Sequence, residues 1–378
     1  MPDYALLRVI WWLLLGVLLI GFAITDGFDL GIGATFQLLG RNDAERRVLL
    51  ESIEPVWDGN QVWLILGAGA IFAAWPLVYA ASFSGLYLAM LLLLVTLILR
   101  PVGFGFRNQL PHARWRSSWD WALTIGGAAP ALLFGVAFAN LFLGIPFHFD
   151  AWRRSVYSGG FFNLLHPFAL LGGVLSLSML ILHGATYAAL KVGEPMAARA
   201  RTLGRIAAVV FALAFIGGGI WVSSALDGYR IIGDVDHGGP SDPTRKTVQL
   251  VLGGWMGNFH TWPWMWAAPY GALLGALAAF ALLQFRQPGK AFIASALVQA
   301  GTILTAGFAL FPFLMPSVSV PDHSLTVWDA SSSAPTLLIM LGAVIVFIPI
   351  ILGYTSWVFR VLKGRLTLAT LHDHDGPY

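Results

Sequence analysis

Long apolar stretches separated by short polar breaks dominate this chain, at residues 8–36, 59–75, 78–99, 121–143, 163–187, 205–225, 262–284, 291–311 and 336–359. Each approaches the roughly 20 residues that a helix needs to cross a hydrocarbon core. The pattern predicts an all-α polytopic membrane protein with about nine transmembrane helices. The 59–75 stretch is the shortest and ends at Trp75-Pro76, where proline favours a break. A count of eight, with this segment on the surface, is the alternative.

The spacing of the stretches predicts two four-helix bundles plus a peripheral helix. Residues 1–145 would hold the first bundle, 146–315 the second, and 316–378 an outer loop, the last helix and a cytoplasmic tail. Two connections, 226–261 and 312–335, are long and polar, and the first mixes Gly, Pro and Asp as turns require. The first apolar run continues for a full span without a small-residue cleavage site, which predicts a retained helix rather than a signal peptide.

Composition sharpens this picture. Of 378 residues, 57% are hydrophobic and 11% charged, against about 25% charged in soluble domains. With no cysteine in the sequence, disulfides, thiolate metal sites and a cysteine nucleophile are excluded. The net charge of +3 is too small to point to nucleic acid. With nine spans, 16 of the 22 Lys and Arg residues fall on one side, which predicts an outside N-terminus and a cytoplasmic C-terminus. Trp and Tyr crowd the span ends, as interfacial anchors do.

The unusual chemistry lies between Thr25 and Trp63, where TDGFDLGIG, RNDAERR and ESIEPVWDGNQVW place Asp26, Asp29, Glu51, Glu54 and Asp58 in or beside apolar surroundings. Carboxylates are costly there and need a reason. Asp26 and Asp29 are three apart, so a continuous helix puts them on one face. Two such acids repel, so one needs a cationic partner or must hold its proton. A proton-passing pair and two solvated acids at the helix end both fit this spacing. Glycines 27, 31 and 33 allow close helix approach there and favour burial.

Asp58 could cap the second span or order water together with Asn60 and Gln61. Glu51 and Glu54 read as loop surface. Arg100-Pro101 would end the third span, with Arg100 snorkelling to the interface or pairing with Asp58. Asp120, between two tryptophans, reads as interfacial. Of nine histidines only His166 and His183 fall in one span. Seventeen residues of helix separate them by about 26 Å, too far to ligate one haem together. No zinc cluster, phosphate loop or catalytic triad is readable.

Intramembrane acids and broken helices also suit a secondary transporter. However, LLRVIWWLLLGVLLIGFAITDGFDLGIG, LGRNDAERR, WDGNQVWLILGAGAIFAAWPLVYAASFSGLY, RPVGFGFR, RWRSSWDWAL, GGVLSLSMLILHGATY, LTAGFALFPFLMPS and SLTVWDASSS make the chain resemble subunit II of cytochrome bd-type quinol oxidases. The resemblance runs nearly end to end, with little carried by 231–250 or by the tail after Leu362. It implies a haem-free subunit of a bacterial inner-membrane complex that oxidises quinol and reduces O₂ to water with protons from the cytoplasm. It also implies that two b-type haems and one d-type haem sit in the partner, subunit I, and that small single-helix subunits, lipid and quinone can join. On the matching positions Asp26, Asp29 and Asp58 are expected in a proton route, and Trp63 and Arg100 in an oxygen or polar channel. No catalytic centre is expected in this chain itself.

Overall fold

The structure, a computed structural model, describes residues 3–233 and 235–367. The helices, in order, are α1 (Tyr4–Ala34), α2 (Phe36–Leu39), α3 (Asp43–Ile53), α4 (Trp57–Ala74), α5 (Pro76–Gly85), α6 (Tyr87–Phe106) and α7 (Ala113–Leu143). They continue with α8 (Pro167–Lys191), α9 (Met196–Ser224), α10 (Gly257–Thr261), α11 (Ala267–Gln284), α12 (Pro288–Leu310) and α13 (Ala334–Val361). Among the described residues eight helices are long and apolar enough to cross a membrane singly, and the bent pair α4 and α5 supplies a ninth.

The boundaries follow local chemistry. Asp3 caps α1 by accepting from the Ala5 amide, and Asn42 caps α3 by accepting from Glu45, each satisfying an amide that the first turn leaves free. Prolines stand in the first turn of α5, α8, α12 and α13, where their missing N–H costs nothing. At Trp75-Pro76 the chain turns by 117° between α4 and α5. The stretch expected to span from 78 to 99 is divided at Leu86: its start belongs to α5, and the crossing helix is α6, which runs on to Phe106. Arg100 consequently lies inside a helix and not at its end.

Helix α1 is the central element, packing on α4, α7, α8 and α12. Glycine makes this close packing feasible. A Cβ on Gly184 of α8 would lie 2.6 Å from the Gly31 carbonyl carbon, and one on Gly33 would lie 3.1 Å from Gly127 Cα of α7. Helix α6 packs on α7, which lies against α1, whereas α8, α9, α11 and α12 pack among themselves, meeting α1 through α8 and α12 and α7 through α8. Helix α13 touches α1 and α4 at the periphery. Only 6% of its apolar window is buried, against 61% for α8, so α13 faces its surroundings over most of its length.

The α7–α8 connection forms an antiparallel ribbon, β1 (Phe147–Phe149) with β2 (Ser155–Tyr157), and the two long polar connections fold as two more, β3 (Asp227–Ile232) with β4 (Thr247–Leu252) and β5 (Phe313–Met315) with β6 (Leu325–Thr326). They share the face that carries the start of α1, where the Tyr4 hydroxyl donates to Ser332 O at 2.6 Å. Arg8 is fully buried there, donating to Ser331 Oγ, His237 O, Gly239 O and Ser241 Oγ. The opposite face carries α3 and the short helix connections, where most of the Lys and Arg residues lie.

Candidate functional site

Asp26 and Asp29 lie on consecutive turns of α1, both 0% exposed. Arg100 of α6, 1% exposed, meets Asp26 with Nη1 on Oδ1 and Nη2 on Oδ2, each at 2.9 Å. This is the bidentate fork that guanidinium and carboxylate geometry favours. Burial supplies the reason for the pair, since an unpaired charge at this depth would be far more costly than a paired one. Both alternatives for Arg100, snorkelling to the interface and pairing with Asp58, are corrected: it is buried and pairs with Asp26, because α6 continues past Arg100 and carries it level with the last third of α1.

Asp29 is held differently. Its Oδ2 accepts from Asn60 Nδ2 at 2.8 Å, while its Oδ1 is buried without a hydrogen-bond partner among the described residues. Asn60 belongs to the first turn of α4, so the hydrogen bond also joins two helices. The Thr25 hydroxyl donates to Gly21 O at 2.8 Å within α1 and reaches Asn60 O at 3.4 Å. Neither acid is solvated at a helix end, and this disposes of the simpler reading of their spacing.

Trp63, one turn beyond Asn60, is 4% exposed, and its Nε1 has no partner among the described residues. Its ring covers Gly21, where a Cβ would approach to 2.5 Å. Asp58 is exposed at the start of α4. It begins a stripe of exposed positions, Asp58, Val62, Ile65, Gly69 and Phe72, whose spacing of four and three residues is that of a seam between packed helices. The sequence-derived acids thus divide: Asp26 and Asp29 meet in the core with Arg100, and Asp58 stands at the edge, two residues before Asn60.

On the basic face the structure adds ion pairs that sequence reasoning missed. Arg107, fully buried, places Nε 2.6 Å from Asp120 Oδ1 and Nη2 2.8 Å from Asp43 Oδ1. Arg46 closes on the other Asp120 oxygen at 2.7 Å and Arg116 on the other Asp43 oxygen at 2.8 Å. Asp120 is 1% exposed, so the interfacial reading is corrected: the carboxylate turns inward from between its tryptophans to hold α3 against α6 and α7. Glu45 accepts from Arg199 of α9 at 2.6 Å and from the Arg41 amide at 2.8 Å. Burial would raise the Glu45 pKa, but these bonds outweigh it and hold the carboxyl below its usual range. Glu51 is half-buried on α3, and Glu54 is exposed at its C-terminus. The dense RNDAERR charge was the available signal for this clasp.

The histidines decide whether this chain fits a haem. His183 is 0% exposed, with Nδ1 2.8 Å from Ser295 Oγ and Nε2 2.9 Å from Ile24 O. Its ring stacks on Phe292. His166 caps α8 through a bond from the Phe168 amide. With both His183 nitrogens engaged and His166 at a helix end, neither side chain offers an axial ligand inside the bundle. These residues do not fit a haem.

A family model described as cytochrome bd terminal oxidase subunit II matches residues 7–362. The chain belongs to the cytochrome bd oxidase subunit II family. Similar proteins include the Escherichia coli K12 cytochrome bd-I ubiquinol oxidase subunit 2, 48% identical with 97% of each chain covered. A probable cytochrome oxidase subunit 2 of Haemophilus influenzae is 49% identical with 97% of each covered, and the Bacillus subtilis cytochrome bd ubiquinol oxidase subunit 2 is 31% identical with 96% and 98% covered. The solved bd oxidase of Geobacillus thermodenitrificans matches with a TM-score of 0.68 at 17% identity, covering 94% of this chain and 98% of that one. That likeness shows a shared fold. Membership of subunit II also removes the transporter reading, leaving the sharp turn at Trp75-Pro76 as a feature of this fold.

Proposed function

We propose that this chain is the haem-free second subunit of a respiratory quinol oxidase that reduces O₂ to water in a bacterial cytoplasmic membrane. A haem-bearing subunit I, with two b-type haems and one d-type haem, supplies the redox centre, and small single-helix subunits complete the assembly. Residues 1–145 and 146–315 act as its two bundles, with the remainder as outer loop, last helix and tail. Asp26, Asp29 and Asp58 belong to a proton route, and Trp63 and Arg100 border a polar or oxygen channel.

One observation carries the reading. Asp58 is exposed on α4 at the head of a helix-packing stripe, and Asn60, two residues on, donates to the half-open carboxylate of Asp29. A carboxylate left facing lipid would be costly, so the α4 stripe suits a protein partner. The same short segment then connects that partner's edge with a buried acid. Arg100 is fixed by Asp26 and serves as wall, leaving Asp29 as the buried oxygen available to a moving proton.

The test is the Asp58→Asn variant of the purified complex, followed by quinol-driven oxygen consumption and by haem content from the visible spectrum. Slower turnover with full haem content is expected. Unchanged turnover in an assembled complex overturns the proton role, and loss of haem together with the partner assigns Asp58 to assembly.

A further inference from the structure

Away from the acids, α9 and α11 leave a groove of about 310 Å³ between them, lined by Thr202, Arg205, Ile206, Val209, Val210 and Phe280. Its polar end lies toward the basic face, because α9 starts there at Met196 and the antiparallel α11 ends there at Gln284. Arg205 Nη1 donates to Gln284 Oε1 across that end, so the two residues are level. Phe280 lies one turn from Gln284 toward the interior. From Arg205 to Val210 the helix climbs about 7.5 Å, and Ile206, Val209 and Val210 are exposed along that climb.

Among the described residues the charge at the polar end has no carboxylate partner. Its neighbours on α9 are neutralised, Arg199 by Glu45 at 2.6 Å and Arg201 by Glu194 at 2.7 Å. Among the described residues Arg205 bonds only neutral oxygens, those of Gln284 and Thr202, and its Nε has no partner. A cation at headgroup depth above an apolar furrow matches a molecule with an anionic head and an acyl tail.

We propose that this groove binds one anionic glycerophospholipid, its phosphate held by Arg205 with Thr202 beside it and an acyl chain lying along Ile206, Val209, Val210 and Phe280. The phosphate replaces the missing carboxylate, and the Gln284 bond orients the guanidinium toward it. The site is separate from the proposed proton route, which lies between α1, α4 and α6.

The experiment uses the purified complex, stripped of lipid in detergent and titrated with phosphatidylglycerol while bound lipid is counted by native mass spectrometry. Phosphatidylglycerol should bind and diacylglycerol of the same chains should not. Arg205→Gln should weaken retention about tenfold, the size expected for one charge-assisted contact, and Arg205→Lys should restore most of it. Val209→Trp, which fills the furrow at an exposed position, should lose the lipid while haem content and oxygen consumption stay unchanged. The proposal is overturned if Arg205→Gln retains phosphatidylglycerol as the parent does, or if diacylglycerol binds equally well. It is also overturned if inorganic phosphate alone displaces the lipid, or if cross-linking from Val209 captures another polypeptide in the groove.

Discussion

Asn60 Nδ2 donates to Asp29 Oδ2 at 2.8 Å, joining α4 to α1 where both side chains are buried. One turn back on α1, Asp26 has both oxygens taken by Arg100. Two acids three residues apart are therefore in opposite states, one closed and one half open, and substitutions at each should give different outcomes.

Breaking the closed pair is a stability lesion. Arg100→Gln leaves Asp26 as a buried charge without a counterion, which should cost about 3–5 kcal/mol. Adding Asp26→Asn should recover part of that loss, since the two residues form one unit. Denaturation midpoints of the purified complex for both single variants and the double variant provide the measurement; strictly additive losses would contradict the coupling.

At the half-open acid the two effects separate. Asp29→Asn keeps the shape and should leave the denaturation midpoint nearly unchanged while slowing quinol-driven oxygen consumption. Asn60→Leu instead removes the remaining donor and should cost about 1–3 kcal/mol. Midpoint and turnover measured on the same preparations distinguish these outcomes.

Helix packing supplies a third test. At Gly184 an added side chain meets the Gly31 backbone, with a Cβ 2.6 Å from its carbonyl carbon, whereas at Gly219 no atom lies within 4 Å. Overpacking of this kind costs about 1–3 kcal/mol or more. Gly184→Val should lower the yield of assembled complex, and Gly219→Ala should not, as judged by size-exclusion chromatography with haem absorbance.

A pH dependence follows from the outer ribbons. The His323 ring accepts from the Phe149 amide at 3.0 Å through Nδ1. Burial, then the charges of Lys246 and His148, lower its pKa from the ordinary 6.5, with Asp322 opposing. Between the folded pKa and 6.5 the unfolded chain holds more protons, so this contribution is complete above about pH 6.5 and declines on acidification through that window. Exchange of the Phe149 amide should accelerate as pH falls below 6.5 relative to amides in α8, and His323→Gln should abolish the extra acceleration.

The spans were legible because lipid imposes a length and a composition on each helix, and α1, α7, α8, α9 and α12 follow the apolar runs closely. Their breaks were less legible. Hydropathy treats α5 and α6 as one apolar run, and neither their boundary at Leu86 nor the continuation of α6 past Arg100 to Phe106 can be seen in it. The acids at 26 and 29 could be singled out, since charge inside a helix is anomalous on any reading. Their partners could not, because Asn60 and Arg100 reach them across 31 and 74 positions of sequence. Asp120 was misread for a related reason: its neighbours in sequence are interfacial tryptophans, whereas its neighbours in space are Arg46 and Arg107.

Arg8 gives the chain an order of completion. The first helix to emerge during synthesis carries a guanidinium whose acceptors lie between His237 and Ser331, the farthest 323 positions away. Until residues 237–241 have been made that cation has none of these acceptors, and until Ser331 follows α12 the set is incomplete, so the start of α1 must wait in water or at the headgroups. Chains that stop before Ser331 would hold the opening helix by the 237–241 loop alone, without the Ser331 and Ser332 bonds to Arg8 and Tyr4 that tie its outer end to the start of the last span.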